Sequence, residues 1–138
     1  MSTERETSYG GVVVRGQDVM VIVPRGRRRV LGLPKGGPNA GESPEQTAAR
    51  EVREETGITA TVRGRLGQVD YTYRRGGRQV AKTVHFYLCE FEDGDTADHD
   101  HEVDDARWMP LQEARRRLSY PGERAMIERA LSILAANG

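Results

Sequence analysis

Gly36-Gly37-Pro38-Asn39-Ala40-Gly41-Glu42, followed seven residues later by Arg50-Glu51-Val52-Arg53-Glu54-Glu55-Thr56-Gly57-Ile58, is the stretch on which the reading of this chain turns. Its first half is rich in Gly, Pro and Asn and reads as a loop. Ser43 is a natural helix N-cap, Pro44 suits the first helical position, and Gln46 completes a capping box. The predicted helix runs to about Thr56 and stops at Gly57. Each helical residue turns about 100°, so Glu51, Glu54 and Glu55 share one face. Ala48, Ala49, Val52 and Thr56 fall on a neighbouring face suited to a core.

Three carboxylates at these spacings repel one another, by roughly 0.2–0.5 kcal/mol per pair. They also crowd the negative end of the helix dipole. A chain built only for stability would avoid this, which points to a compensating cation. Arg50 and Arg53 are near but leave carboxylate lone pairs unused. A hard divalent ion such as Mg²⁺ takes carboxylate and carbonyl oxygens, and the glycine-rich loop can offer a carbonyl at Gly36 or Gly37. The alternative is a solvated acidic helix face.

Outward from this helix the chain alternates strands and turns. Tyr9–Val14 and Val19–Val23 are β-branched runs around a turn at residues 15–18, and read as a hairpin. Val30–Leu33 is a short strand. Ile58–Val69 and Val80–Phe91 are longer strands, joined by a turn over Tyr71–Arg78 centred on Gly76-Gly77. Ala106–Met109 is a further strand. Leu111–Leu118 and Glu123–Ala136 are closing helices, the second with apolar residues at helical spacing. Residues 1–7 are polar and expected to fray. The expected architecture is α/β: a mixed sheet flanked by helices, one domain over residues 8–138.

A chain of 138 residues is one ordinary domain. Lys plus Arg and Asp plus Glu number 21 each, so no basic excess marks a general nucleic-acid coat. The balance hides segregation, with Arg25 and Arg27–Arg29 on one side and an acidic stretch from Asp93 to Asp105 on the other. Cys89 is the single cysteine, sits in an apolar run and reads as a buried thiol. No stretch resembles a signal peptide or membrane span, so a cytoplasmic location and no membrane partner are the expectations.

The pattern Gly36, Glu42, Arg50-Glu51-Val52, Glu54-Glu55, Gly57-Ile58 resembles the Nudix box at every fixed position, and Leu33-Pro34-Lys35-Gly36 matches its usual lead-in. The strand order and Trp108-Met109-Pro110-Leu111 before the closing helices are similar too. The resemblance implies a Nudix α/β/α sandwich and a hydrolase that cuts phosphoanhydride bonds with Mg²⁺, or Mn²⁺. It implies that Glu54 and Glu55 are the principal metal ligands, that Glu51 is a further ligand or the base, and that Arg50 orients Glu51. Gly36 supplies a carbonyl. Glu42 is a ligand or structural partner. Glu102, six residues before Trp108, is the candidate for a further acidic ligand. His99 and His101 read as solvated loop residues.

Lys35, next to the metal loop, is the first candidate for the substrate phosphates. Arg74, Arg75 and Arg78 and the Arg27–Arg29 run are secondary. Tyr71, Tyr73 and the Lys82–Leu88 strand with His85 resemble the diadenosine polyphosphate hydrolase branch. A dinucleoside polyphosphate is therefore the leading substrate. Nucleoside triphosphates, oxidised ones included, and RNA 5′ ends are alternatives, the latter through Pro34–Glu42. A non-catalytic nucleotide sensor is the non-enzyme alternative, and all box carboxylates are present against it. Monomer and homodimer both remain open.

Overall fold

The computed structural model describes residues 3–137. In chain order the elements are β1 (Glu4–Arg15), β2 (Asp18–Pro24), β3 (Lys35–Gly36), α1 (Pro44–Thr56), β4 (Ile58–Arg75), β5 (Arg78–Gly94), a 3₁₀ turn (Thr96–Asp98), β6 (Val103–Pro110), α2 (Leu111–Arg117) and α3 (Pro121–Asn137). The strands form one mixed sheet in the order β4-β5-β1-β2-β6, with β3 paired to β1.

Alternation along the strands divides the core in two. Val13, Met20, Ile22, Tyr87 and Cys89 point to the face covered by Ala48 and Val52 of α1. Val12, Val21, Val84 and Phe86 point to the opposite face, covered by Leu111 and Leu118 and by Met126, Ile127 and Ala130 of α3. The expected helix–sheet–helix sandwich follows. Cys89 is 1% exposed, and burial pushes its thiol up to about 12, as befits an inert core residue.

The helix expected from Ser43 to Thr56 is present with both caps. Ser43 Oγ accepts from the Gln46 N–H, the Gln46 side chain returns to Ser43 N–H, and Gly57 closes the end at φ 77°. Other boundaries differ from the sequence reading. Residues 1–2 lie outside the described part of the chain. The fray expected up to residue 7 is contradicted from Glu4 on, because Glu4–Val14 pair in parallel with Val80–Glu90. Polar side chains hid a strand whose hydrogen bonds come from a distant partner. Val30–Leu33 is not a strand either: it touches the sheet through one bridge between Gly32 and Ile22. The turn expected over Tyr71–Arg78 shrinks to Gly76-Gly77, whose φ values of 57° and 80° suit a two-residue hairpin turn.

One irregularity positions the site. β1 and β2 pair only beside their turn, at Val14–Val19 and Arg15–Asp18. Beyond that they splay, and residues 32–36 fill the gap. Gly32 exchanges two hydrogen bonds with Ile22 (2.8 and 2.9 Å), and Gly11 N–H donates to Pro34 O at 3.2 Å. Gly10 permits this: a Cβ there would lie 2.4 Å from Pro34 O.

Candidate active site

Helix α1 does not display its three carboxylates equally. Glu51 and Glu55, four residues apart, are both 8% exposed, while Glu54 faces outward. Arg50 ties the exposed side together. Its Nε donates to Glu42 Oε2 (2.7 Å), its Nη1 to Glu51 Oε1 (2.7 Å) and Glu54 Oε2 (2.8 Å), and its Nη2 to Gly37 O (2.8 Å). Hydrogen bonding from Arg50 holds the Glu42 carboxyl down at about 2. Glu51 behaves oppositely: burial raises its carboxyl more than Arg50 lowers it, with the Glu54 and Glu102 charges adding to the rise.

Glu55 is the extreme case. Its Oε1 accepts the Lys35 N–H at 3.0 Å, yet burial, reinforced by the Glu51 charge, pushes its carboxyl up to about 8. One guanidinium therefore serves three carboxylates, with a fourth beside them poorly solvated. Among the described residues, no three His, Cys, Asp or Glu side chains converge into a metal cage as they stand, and Arg50 and the Lys35 N–H occupy carboxylate oxygens. The donors nevertheless suit a hard divalent cation in kind and in charge. The loop is also shaped around them: a Cβ on Gly36 would lie 2.2 Å from the Glu51 carboxyl carbon. Only a bare glycine lets this main chain and that carboxylate share the space.

Beside these residues lies a cavity of about 840 Å³. Glu55, Lys35 and Glu102 line it, with Tyr71 and Tyr73 of β4, Lys82 of β5, Tyr120 just before α3 and Glu123 in its first turn. Behind the wall residues Tyr73 and Lys82, Glu6 of β1 accepts from Lys82 Nζ (2.7 Å), Arg75 Nη2 (2.7 Å) and the Tyr73 hydroxyl (3.1 Å). Those partners, Lys82 first, hold its carboxyl at about 2.

The NUDIX domain model matches residues 5–130. The chain belongs to the NUDIX domain family. Its members generally use divalent metal ions such as Mg²⁺. The MutT4 protein of Mycobacterium tuberculosis is 45% identical over 137 residues, covering 93% of this chain and 55% of that protein. The 8-oxo-(d)GTP phosphatase of Mycolicibacterium smegmatis is 36% identical over 124 residues, 89% of this chain and 37% of that one. The asymmetrical bis(5′-nucleosyl)-tetraphosphatase of Mus musculus is 32% identical over 75% of this chain and 71% of its own. The chain thus spans about half of the first relative and little over a third of the second. A solved NUDIX hydrolase from Nitrosomonas europaea superposes with a TM-score of 0.76 at 22% identity, over 94% of this chain and 90% of that one.

For this NUDIX chain, the structure gathers Gly36, Glu51, Glu54, Glu55 and Arg50 around the loop and helix, and places Lys35, Tyr71, Tyr73 and Glu102 on the cavity wall. Two expected substrate contacts lie elsewhere. Arg74 is exposed, donates to Gly77 O at 3.3 Å and does not line the cavity. His85 is on the α1 face, one residue out of phase with Val84 and Phe86. There it stacks on Tyr9 (5.4 Å between centroids) and meets Arg65 at 3.0 Å. Sequence reasoning missed Glu6, Tyr120 and Glu123. No local pattern marks them. Glu123, the first residue of the predicted closing helix, carried only its position three and four residues before the apolar Met126 and Ile127 as a signal.

Proposed function

We propose that this chain hydrolyses a phosphoanhydride bond of a nucleoside polyphosphate, with Mg²⁺, or Mn²⁺, held by Glu51, Glu54, Glu55 and the Gly36 carbonyl, and with Glu102 as a further acidic ligand. The observation that carries this reading is the meeting of opposite charges at one cavity. An under-compensated carboxylate group around Glu55 borders it, and so do the Lys35 and Lys82 ammonium groups, Lys82 being held on Glu6. A divalent ion there would screen phosphate charge and make water more acidic. The chain's own residues do the rest. Arg50 orients Glu51 and Glu54, and burial raises the proton affinity of Glu51, which suits it to accept a proton from water. Lys35 and Lys82 face the phosphates, and Tyr71, at 43% exposure on the cavity wall, offers a base a stacking surface.

The leading substrate is a dinucleoside polyphosphate, supported by the several tyrosines on the cavity wall, Tyr71, Tyr73 and Tyr120, and by the relative named as an asymmetrical bis(5′-nucleosyl)-tetraphosphatase. A nucleoside triphosphate, oxidised or not, is the second reading, favoured by the relative named as an 8-oxo-(d)GTP phosphatase. A Mg²⁺-supplemented panel of diadenosine polyphosphates, canonical and 8-oxo nucleoside triphosphates, ADP-ribose and triphosphorylated RNA separates these. Turnover of a tetraphosphate-bridged dinucleotide above the triphosphates is expected. Turnover of none would remove the hydrolase reading, and tight binding unchanged by Glu54→Gln would favour a sensor.

A further inference from the structure

The mechanism above leaves one buried carboxylate unused. Glu123 sits on the first turn of α3 and is 3% exposed. Its Oε1 accepts the Leu33 N–H at 3.0 Å, and its Oε2 accepts from Lys35 Nζ at 2.9 Å. Ser119, just before α3, clasps the same loop twice: its Oγ accepts from Leu31 N–H (2.8 Å) and its own N–H donates to Leu31 O (2.9 Å). The α2–α3 junction is thus bolted to the segment that carries Lys35 and Gly36.

Lys35 stands between two carboxylates. Its backbone N–H meets Glu55, while its ammonium points to Glu123, and the ammonium feels both negative charges. Freed from Glu123, a buried ammonium would turn to the nearest uncompensated anion, because an unpaired charge is costly away from water. That anion is Glu55.

We propose that Glu123 is a positioning residue that holds the Lys35 ammonium on the α3 side of the cavity and so keeps the Glu55 carboxylate available to a divalent cation. This inference rests on Glu55 being a metal ligand, as in the functional reading above. The two oxygens of Glu123 separate its jobs. A glutamine can still accept from Leu33 N–H, but its amide cannot accept from the ammonium.

The test is Mn²⁺ binding to the purified chain without substrate, read by calorimetry, with melting temperatures alongside. Glu123→Gln is expected to weaken Mn²⁺ binding by about tenfold or more, the range seen when groups orienting metal ligands are lost. The Lys35→Met/Glu123→Gln double variant, with no ammonium left to redirect, is expected to bind like wild type. Unchanged binding in the single variant, or equally weak binding in the double variant, overturns the proposal; the latter would make Glu123 a loop clamp only. If Glu123→Gln fails to fold, Lys35→Met decides: wild-type or tighter binding supports the proposal, and weaker binding overturns it. A wild-type chain that binds no Mn²⁺ would defeat the metal reading together with this inference. A wild-type chain that binds well while Glu123→Gln matches it would defeat this inference alone.

Discussion

Arg50 and Glu6 are hubs of opposite sign. Arg50 is one cation among Glu42, Glu51 and Glu54; Glu6 is one anion among Lys82, Arg75 and the Tyr73 hydroxyl. Each hub satisfies its own centre, and the Arg50 hub leaves its surroundings with an excess of negative charge. That excess suits a metal ion; around Glu6, Lys82 and Arg75 supply cations, and Glu4 also lies 3.8 Å from Arg75. They also differ in origin. The Arg50 hub lies within thirteen residues, Glu42 to Glu54, on α1 and the turn just before it. The Glu6 hub joins strands from opposite parts of the chain and exists only because β1 pairs with β5 and β5 with β4.

The harshest way to break the comparison is Glu55→Gln. Turnover should fall by orders of magnitude in a saturating Mg²⁺ assay, while the fold persists, since a glutamine oxygen can still accept the Lys35 N–H. Without metal the variant should melt slightly higher than wild type at alkaline pH. The sign follows from Glu55 binding its proton more tightly when folded. Stability of the metal-free chain is therefore highest below about 4.5 and falls as pH rises through about 8. The variant's melting curve should lack that decline, and an identical decline in both would assign it to another group.

Arg50→Gln comes next. It leaves Glu42, Glu51 and Glu54 facing one another, and activity should drop roughly 10- to 100-fold. Melting temperature should fall as well, and added Mg²⁺ should recover part of it, as a second cation takes over the hub. Recovery by NaCl to the same extent as by Mg²⁺ would reduce the hub to general charge screening.

Glu6→Gln should cost about 1 kcal/mol in denaturant unfolding at neutral pH, an amount typical of a partly exposed ion-paired group. Its carboxyl is lowered from 4.5 to about 2, so its contribution is fully present above 4.5 and is lost as pH falls through about 2. The wild type should lose stability across that acid window more steeply than the variant. Arg74→Ala, beside this hub but outside the cavity, is the smallest case: KM should stay within about twofold of wild type. A tenfold rise would restore Arg74 to the substrate site.

The legible parts of this protein were those decided over a few residues. The caps at Ser43 and Gly57, the core face of Ala48, Val52 and Thr56, and the crowding of Glu51, Glu54 and Glu55 all follow from helical geometry. The division of that stripe, with Glu51 and Glu55 inward and Glu54 outward, did not, because it depends on where β3 lies against α1. The polar start of β1 read as a frayed end because its partner strand is more than seventy residues away. His85 read as a substrate contact although strand phase turns it to the α1 face.

The sequence by itself determined the helix, its caps, the chemistry of its carboxylates and the family to which the chain belongs, because 3.6-residue periodicity and fixed spacing are local properties. The tertiary structure alone decided which carboxylates are desolvated, that Glu123 faces Lys35, and that Glu6 gathers Lys82 and Arg75. Those outcomes depend on the splay of β1 from β2 and on the approach of α3. Burial and long-range pairing exist only once distant segments meet.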